Sequence, residues 1–519
     1  MPTVEIDGRQ IEVENGTTVI EAAERLGIEI PHYCWHPGLS ISGNCRMCLV
    51  EIEKSPKLQI ACNTRVSDGM VVRTTSDRTR DAQQAVLEFL LINHPIDCPV
   101  CDQAGECKLQ EYYMDYDRQR GRVALPEKVR KKKAVPVGPL VMLDQERCIL
   151  CARCTRFLDE ITHTHELAIY ERGDHAEIRP APGKTVDNPY AGNIIDICPV
   201  GALTSRDFRF RARVWYLQAT DSVCGACANG CNIDVYHREG QLYRFLPRAN
   251  PDVNAYWMCD AGRLSCHDLQ GEARLTMALR RETEAFAPAG WEAVLAEVSR
   301  RLRAARGVGV IVSARATNEE MHLASRLARA LDGRLAGVSW SPPDATGDDF
   351  LIKADKNPNG TGLARQGLGD PAALDRLLEA TAQGEVDALV VLRSDLVSWL
   401  GSARVGAVLE GVGYLVVVDT HGGETAQYAD VVLPIGTYVE TDGTFTNHAG
   451  RVQRLRQAFP PPGDARPGWQ VLTDLLRALG ERDVPAGAEA TFAALAQSCP
   501  AFAGLDYEVV GAQGASAAS

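Results

Sequence analysis

The 519-residue sequence has no run approaching ~18 consecutive apolar residues, so no segment reads as a bilayer-spanning helix. It has no basic excess either. Lys and Arg total 55 against 68 Asp and Glu, a net charge of −13. Its basic clusters are scattered, which argues against a nucleic-acid binder. The opening MPTVEIDGRQIEVENG lacks a charged segment followed by an apolar one, so no export signal is read and the cytosol is the expected compartment. No Walker loop is present and no GxGxxG follows a convincing strand, so nothing marks a nucleotide site. Cysteine is scarce in the back half, where only Cys499 follows Cys266. The length exceeds what one core organises, so several domains are expected.

The front half is different, because sixteen of the 17 cysteines lie between Cys34 and Cys266. A reducing cytosol disfavours disulfides, and the spacings divide the cysteines into sets. The first set is Cys34, Cys45, Cys48 and Cys62. Before it, TVEID and QIEVE flank Asp7-Gly8 as a hairpin. TTVIEAAERLG then reads as a helix with Thr18 and Glu21 as a capping box and Gly27 past its end. Hairpin, helix and cysteine loop are similar to the β-grasp of [2Fe–2S] ferredoxins, although ten residues separate Cys34 from Cys45 where the plant pattern has four. A zinc knuckle is the rival. His32 and His36 flank Cys34 and read as supporting donors or surface residues.

The second set lies in HPIDCPVCDQAGECKLQ, where Cys98, Cys101 and Cys107 are one ligand short of four and His94 is close enough to supply it. Taken alone, Cys₃His is a common zinc set. Placed between other cluster-like sets, it reads as a [4Fe–4S] site with one imidazole ligand, which removes one negative charge and raises the potential. The third set, Cys148, Cys151 and Cys154 in ERCILCARCTRF with remote Cys198 before a proline, follows the bacterial ferredoxin run and reads as one [4Fe–4S] site. The fourth joins Cys224, Cys227 and Cys231, spaced C-x₂-C-x₃-C, to Cys259. It is similar to the N-terminal [4Fe–4S] site of molybdopterin oxidoreductases. Cys266 and Cys499 are left as ordinary thiols. Four redox centres so close in sequence point to a conductor of single electrons, since zinc has no redox chemistry.

With the four sets placed in order, the chain resembles the large iron–sulfur subunits of bacterial respiratory complex I, the NADH:quinone oxidoreductases, from residue 1 to about residue 455. GVGVIVSARATNEEMHLASRLARAL, DALVVLRS and YLVVVDT extend the match as strands and an amphipathic helix of a doubly wound α/β layer. YADVVLPIGTYVETDGTFTNHAGRVQ resembles a molybdopterin-family signature. The resemblance implies a multidomain α+β then α/β chain. Its expected parts are a [2Fe–2S] β-grasp domain over 1–80, a helical His/Cys₃ module over 81–135 and a [4Fe–4S] ferredoxin-like module over 136–216. A [4Fe–4S] cluster domain over 217–275, a shortened molybdopterin-oxidoreductase-like scaffold over 276–505 and a flexible tail over 506–519 follow. Implied cofactors are one [2Fe–2S] and three [4Fe–4S] clusters, without molybdenum. Ala261 stands where molybdoenzymes carry an electron-relaying lysine, no C-terminal pterin clamp is evident, and Cys266-His267 lies too near Cys259 to be a molybdenum ligand. Implied partners are a flavin- and NADH-binding subunit and other peripheral-arm subunits, with the membrane arm reached indirectly, at the cytoplasmic face of the bacterial inner membrane. Rival readings are the iron–sulfur subunit of an NAD-linked formate dehydrogenase or of a soluble NAD-reducing hydrogenase. An iron-only hydrogenase is disfavoured, since the back half lacks a cysteine set.

Two weaker features complete the reading. KVRKKK, Lys128 to Lys133, is expected to be a linker that forms a solvated basic loop, with a docking patch for an acidic partner as the alternative. RDFRFRAR after Cys198 alternates as an exposed strand would.

Overall fold

The computed structural model describes residues 1–117, 122–283 and 285–516. The chain forms two compact units, Met1–Leu217 and Gln218–Ser519. Among the described residues no helix is long and apolar enough to cross a membrane.

The first unit begins with β1 (Thr3–Ile6) and β2 (Arg9–Glu12), paired antiparallel about Asp7-Gly8. Both turn residues have positive φ, +47° and +80°, as a type I′ hairpin requires. Helix α1 (Val19–Arg25) follows, and Thr18 and Glu21 close the expected capping box, with Thr18 N donating to Glu21 Oε2 at 2.8 Å. Strands β3 (Leu49–Ile52), β4 (Gln59–Ile60) and β5 (Met70–Arg73) complete a sheet of order β2-β1-β5-β3-β4, with β1 and β5 parallel. Val4, Ile6, Ile20, Val50 and Val72 fill its core beneath α1. This is the β-grasp expected from the hairpin, helix and cysteine loop.

Helix α2 (Asp77–Leu91) starts at the Ser76 cap, and α3 (Lys108–Tyr116) packs against it. The ferredoxin-like part contains β6 (Val135–Pro136), β7 (Val141–Leu143), α4 (Arg153–Glu160), β8 (Leu167–Tyr170), β9 (Glu177–Pro180), α5 (Asn193–Asp196) and β10 (Leu203–Ser205). Its sheets are β10-β7-β6 and the β8–β9 hairpin.

The second unit opens with the antiparallel sheet β11 (Gln218–Val223), β12 (Asn232–Arg238) and β13 (Gln241–Pro247), followed by α6 (Asp260–Leu264). Its centre is a seven-stranded sheet. Strands β14 (Leu279–Glu282) and β15 (Ala285–Pro288) form an antiparallel edge. Five parallel strands follow: β16 (Val308–Ser313), β17 (Arg334–Val338), β18 (Ala388–Leu392), β19 (Tyr414–Asp419) and β20 (Val431–Pro434). Every residue of β16 and β18 is buried, as a parallel sheet covered on both faces demands. Helix α7 (Trp291–Ala304), α8 (Asn318–Ala330) and the helix Gly468–Ala478 bury one face with Val310, Val312, Val390 and Val416. Helices Ala372–Ala382 and Ser402–Gly411 bury the other with Ile311, Leu389 and Val391. The order β17-β16-β18-β19-β20 reverses between β16 and β18, which places a topological switch point at their carboxyl ends. A second antiparallel sheet of this unit holds β21 (Gly443–Thr446), β22 (Arg451–Leu455) and β23 (Ala515–Ser516).

Three local expectations are corrected. The segment from residue 506 is ordered through 516: Tyr507 and Val510 are buried on a short helix, and β23 pairs with β22. Residues 517–519 of that expected tail lie outside the described residues. Lys128–Lys133 is coil, but it is not simply solvated. Lys128 is buried, Lys131 Nζ donates to Ala176 O at 2.5 Å, and Lys133 pairs with Glu146 at 2.6 Å. RDFRFRAR forms turns after β10. Phe208 is buried and Phe210 N donates to Asp102 Oδ1 at 2.7 Å, so its alternation serves tertiary contacts.

Candidate iron–sulfur sites

Cys34, Cys45, Cys48 and Cys62 meet on the loops between α1, β3 and the turn after β4. Positive φ at Gly43 and Arg46, +64° and +60°, turns that loop back on itself. Cys34 N donates to Cys45 Sγ at 3.5 Å. The free thiols pair through hydrogen bonds, Cys34 with Cys45 and Cys48 with Cys62. Within each pair the partner thiol pulls Cys34 and Cys62 below the usual thiol range, and it pushes Cys45 and Cys48 above it together with burial. Two pairs of thiolates are what a binuclear centre needs, one pair per metal ion. His32 and His36 are occupied locally: His32 Nδ1 meets Ile30 O at 2.8 Å, and His36 Nδ1 accepts from Gly38 N at 3.1 Å.

His94, Cys98, Cys101 and Cys107 line one small cavity between the end of α2 and the start of α3. Burial first, then the Arg147, Lys128 and Lys133 cations against the opposing pull of Asp97, hold the His94 pKa down at about 4. The ring is therefore neutral at neutral pH, the form that ligates metal. Its Nδ1 is buried and has no hydrogen-bond partner. Lys128 Nζ fixes the His94 backbone, donating to His94 O at 2.7 Å and Leu91 O at 2.8 Å. Burial raises Cys101 and pushes Cys107 up to about 11. Arg147 borders the cavity, held to Asp97 at 2.7 Å and to Asp144. A side chain at Gly201 would collide with Cys101 Sγ, so glycine admits this close approach.

Cys148, Cys151, Cys154 and Cys198 line a second cavity beside β7 and α4. Leu150 and Ala152 adopt φ of +53° and +61°, and these turns carry the run of cysteines around one centre. Burial pushes Cys148 up to about 12, Cys151 up to about 11 and Cys154 well above the ordinary thiol value.

In the second unit, Cys224, Cys227 and Cys231 follow β11 and Cys259 caps α6, where its Sγ accepts from Gly262 N at 3.3 Å. Asn229 Nδ2 donates to Cys231 Sγ at 3.1 Å. The loop is tied to distant segments: Ala228 N donates to Asp355 O, His448 N to Ala228 O and Gln453 Nε2 to Gly230 O, at 2.8–2.9 Å. Burial raises the Cys224 and Cys259 thiols and pushes Cys231 up to about 12.

The second and third sets each line one cavity, and the thiols of the first and of the fourth set lie near enough to influence one another. Among the described residues, no three or more His, Cys, Asp or Glu group as a single metal ion would hold them. The donors are soft thiols and one neutral imidazole, which suit iron–sulfur chemistry. Thiols that burial holds protonated, Cys107, Cys148, Cys151 and Cys231 among them, would release protons on binding. Cys266 is buried, and Cys499 Sγ lies 3.5 Å from Arg365 O. Nothing in the sequence marks Lys128, Arg147 or Gly201 as supporting residues, because their partners are remote in the chain.

A cavity of about 520 Å³ opens at the switch point, lined by Arg315, Arg393, Asp419, His421, Ala226 and Ala261 among others. Ala261 contributes a methyl group to this lining.

Family models match the chain in sequence order. A 2Fe-2S iron-sulfur cluster binding domain matches residues 1–77, and the NADH-ubiquinone oxidoreductase-G iron-sulfur binding region matches 83–122. The ferredoxin-like domain of NADH-quinone oxidoreductase subunit 3 matches 138–204, and the NDSU1/NuoG-like 4Fe-4S domain matches 217–267. A molybdopterin oxidoreductase model matches 354–478. The mitochondrial NADH-ubiquinone oxidoreductase 78 kDa subunit of Neurospora crassa is 33% identical, covering 92% of this chain and 80% of that one. The corresponding NADH-quinone oxidoreductase protein of Streptomyces coelicolor is 44% identical over 64% of this chain and 40% of its own length. A solved NAD⁺-reducing [NiFe]-hydrogenase in the H₂-reduced state matches 41% of this chain and 91% of its own at 30% identity, with a TM-score of 0.37. Relatives more than 30% identical over more than nine-tenths of this chain and at least four-fifths of their own length show that the chain belongs to the family of the large iron–sulfur subunit of NADH:quinone oxidoreductase, the 75–78 kDa subunit of complex I and its bacterial counterparts.

Proposed function

We propose that this chain relays single electrons from a flavin-bearing, NADH-oxidising partner toward quinone in the peripheral arm of a proton-translocating complex I. One [2Fe–2S] and two [4Fe–4S] clusters, held by the first three sets, form the route. The observation that carries this reading is the meeting of three thiol-lined sites inside one unit. The third set lies against both others: Asn44 Nδ2 donates to Leu150 O at 3.1 Å on the first side, and Lys108 N donates to Pro199 O at 3.0 Å on the second. The clusters supply one-electron redox chemistry when bound. The chain's own residues hold them, exclude water and set their potentials through charge and hydrogen bonds.

The fourth set, Cys224, Cys227, Cys231 and Cys259, holds a [4Fe–4S] cluster whose role is structural. Its loop ties β11 and β12 to segments near Asp355, His448 and Gln453, so losing the cluster would loosen this unit. The rest of the second unit is a scaffold without molybdenum. Anaerobic purification with identification of every co-purifying subunit and full metal analysis tests this account. Iron, sulfide and flavin without stoichiometric molybdenum or tungsten are expected. One equivalent of either metal with formate-dependent activity would move the chain to the formate dehydrogenase reading.

A further inference from the structure

Two arginines of α4 reach out of the third cysteine set into the first. Arg156 donates to Cys34 O and to Ser40 O. Arg153 does something different. It sits in the chain between Cys151 and Cys154, and its planar head spans two loops. Nη1 donates to Ile197 O at 3.1 Å, one residue before Cys198, and Nη2 donates to Trp35 O, one residue after Cys34. Its Nε is buried without a hydrogen-bond partner. The guanidinium feels the thiols of both sets, Cys151 and Cys198 on one side and Cys34 and Cys45 on the other. Two different nitrogens of one planar, charged fork hold the two carbonyls, a span that a lysine's single nitrogen does not cover.

We propose that Arg153 is a shared positioning and tuning residue for the first and third clusters, a fixed positive charge between them that raises both reduction potentials together. The inference rests on reading those two sets as cluster ligands. An electron added to either cluster places negative charge beside the same guanidinium, so each reduced state gains from one cation. The two carbonyl bonds keep that cation from drifting toward either site. A charge serving two adjacent centres keeps their potentials in step, which leaves the electron no deep trap between them.

The test is a potentiometric titration of the assembled complex, read by electron paramagnetic resonance. Wild-type protein must first show both signals and full iron content; their absence would fail the ligand reading and leave Arg153 out of account. In Arg153→Met, both midpoints are expected to move negative together. At the wild-type midpoint the reduced-to-oxidised ratio of each cluster should fall about tenfold, which is about 59 mV for a one-electron couple. The second-set cluster should keep its midpoint. If only one of the two clusters shifts, or neither does, the shared role is overturned. If Arg153→Met fails to retain both clusters, Arg153→Lys decides. Its ammonium satisfies one carbonyl and moves the charge toward that side, so the two midpoints should separate; unchanged midpoints would overturn the proposal.

Discussion

Arg393 and Glu320 form a buried bidentate pair at the end of β18, and removing one partner should be among the most damaging changes in the second unit. Arg393 Nε and Nη2 donate to the two Glu320 oxygens, each at 2.7 Å, and Nη2 also reaches Gly436 O at 2.9 Å. The side chains are 8% and 0% exposed. Glu320 also accepts from Thr317 N at 2.9 Å, so the pair is locked to the start of α8. Arg393→Met leaves a carboxylate buried without its cation, a loss of about 3–5 kcal/mol. At about 2 °C per kcal/mol for a unit of this size, the second unit should melt about 6–10 °C lower. Differential scanning calorimetry at one scan rate, with near-ultraviolet circular dichroism as a second probe, reads this directly. Adding Glu320→Gln should restore much of the loss, because the neutral amide still accepts from Thr317 N and leaves no unpaired charge. A shift below about 2 °C for Arg393→Met, or a double variant worse than the sum of the two single changes, would refute this reasoning.

Glu319 yields a pH prediction. Burial holds its pKa up at about 7 against 4.5, opposed by bonds from Thr444 and Tyr507. Between those values the folded protein keeps the proton and the unfolded chain sheds it, so the unfolded state gains as pH rises. Stability should fall by about 3 kcal/mol from pH 4.5 to 7 on this account and then level; a denaturation series in Glu319→Gln should lose that slope, and an unchanged slope would assign it elsewhere. For the second set, His94→Cys should retain iron and lower the cluster potential, because thiolate adds negative charge, whereas His94→Ala should lose iron or bind exchangeable water. Unchanged iron and potential in both variants would remove His94 from the ligands.

The features legible in the sequence are those written locally. The Thr18–Glu21 box, the Asp7-Gly8 turn and the fully buried β16 and β18 each encode their own structure, and the cysteine spacings suggest sets of four. What escaped depends on partners far along the chain. Lys128–Lys133 reads as a solvated run by composition, yet Lys128 is spent on His94 O and Lys133 on Glu146. The small polar tail looked unable to order itself, but Ala512 O and Gln513 O accept from Asn232 and Asn250, and Tyr507 reaches Glu319. The roles of Arg153 and Arg156 had no signal at all, since a basic residue beside a cysteine run is ordinary until the loop it crosses to is known.

Conduction by the first three sets and support by the fourth are tested most directly by quinone reduction per flavin, measured on gel-filtered complex with verified subunit content. Cys148→Ser should abolish NADH-driven quinone reduction while the flavin still reduces an artificial acceptor. Cys227→Ser should lose one [4Fe–4S] signal and reduce the yield of assembled complex, yet leave turnover per flavin close to wild type. Normal assembly with collapsed turnover in Cys227→Ser, or undiminished quinone reduction in Cys148→Ser, would contradict the account.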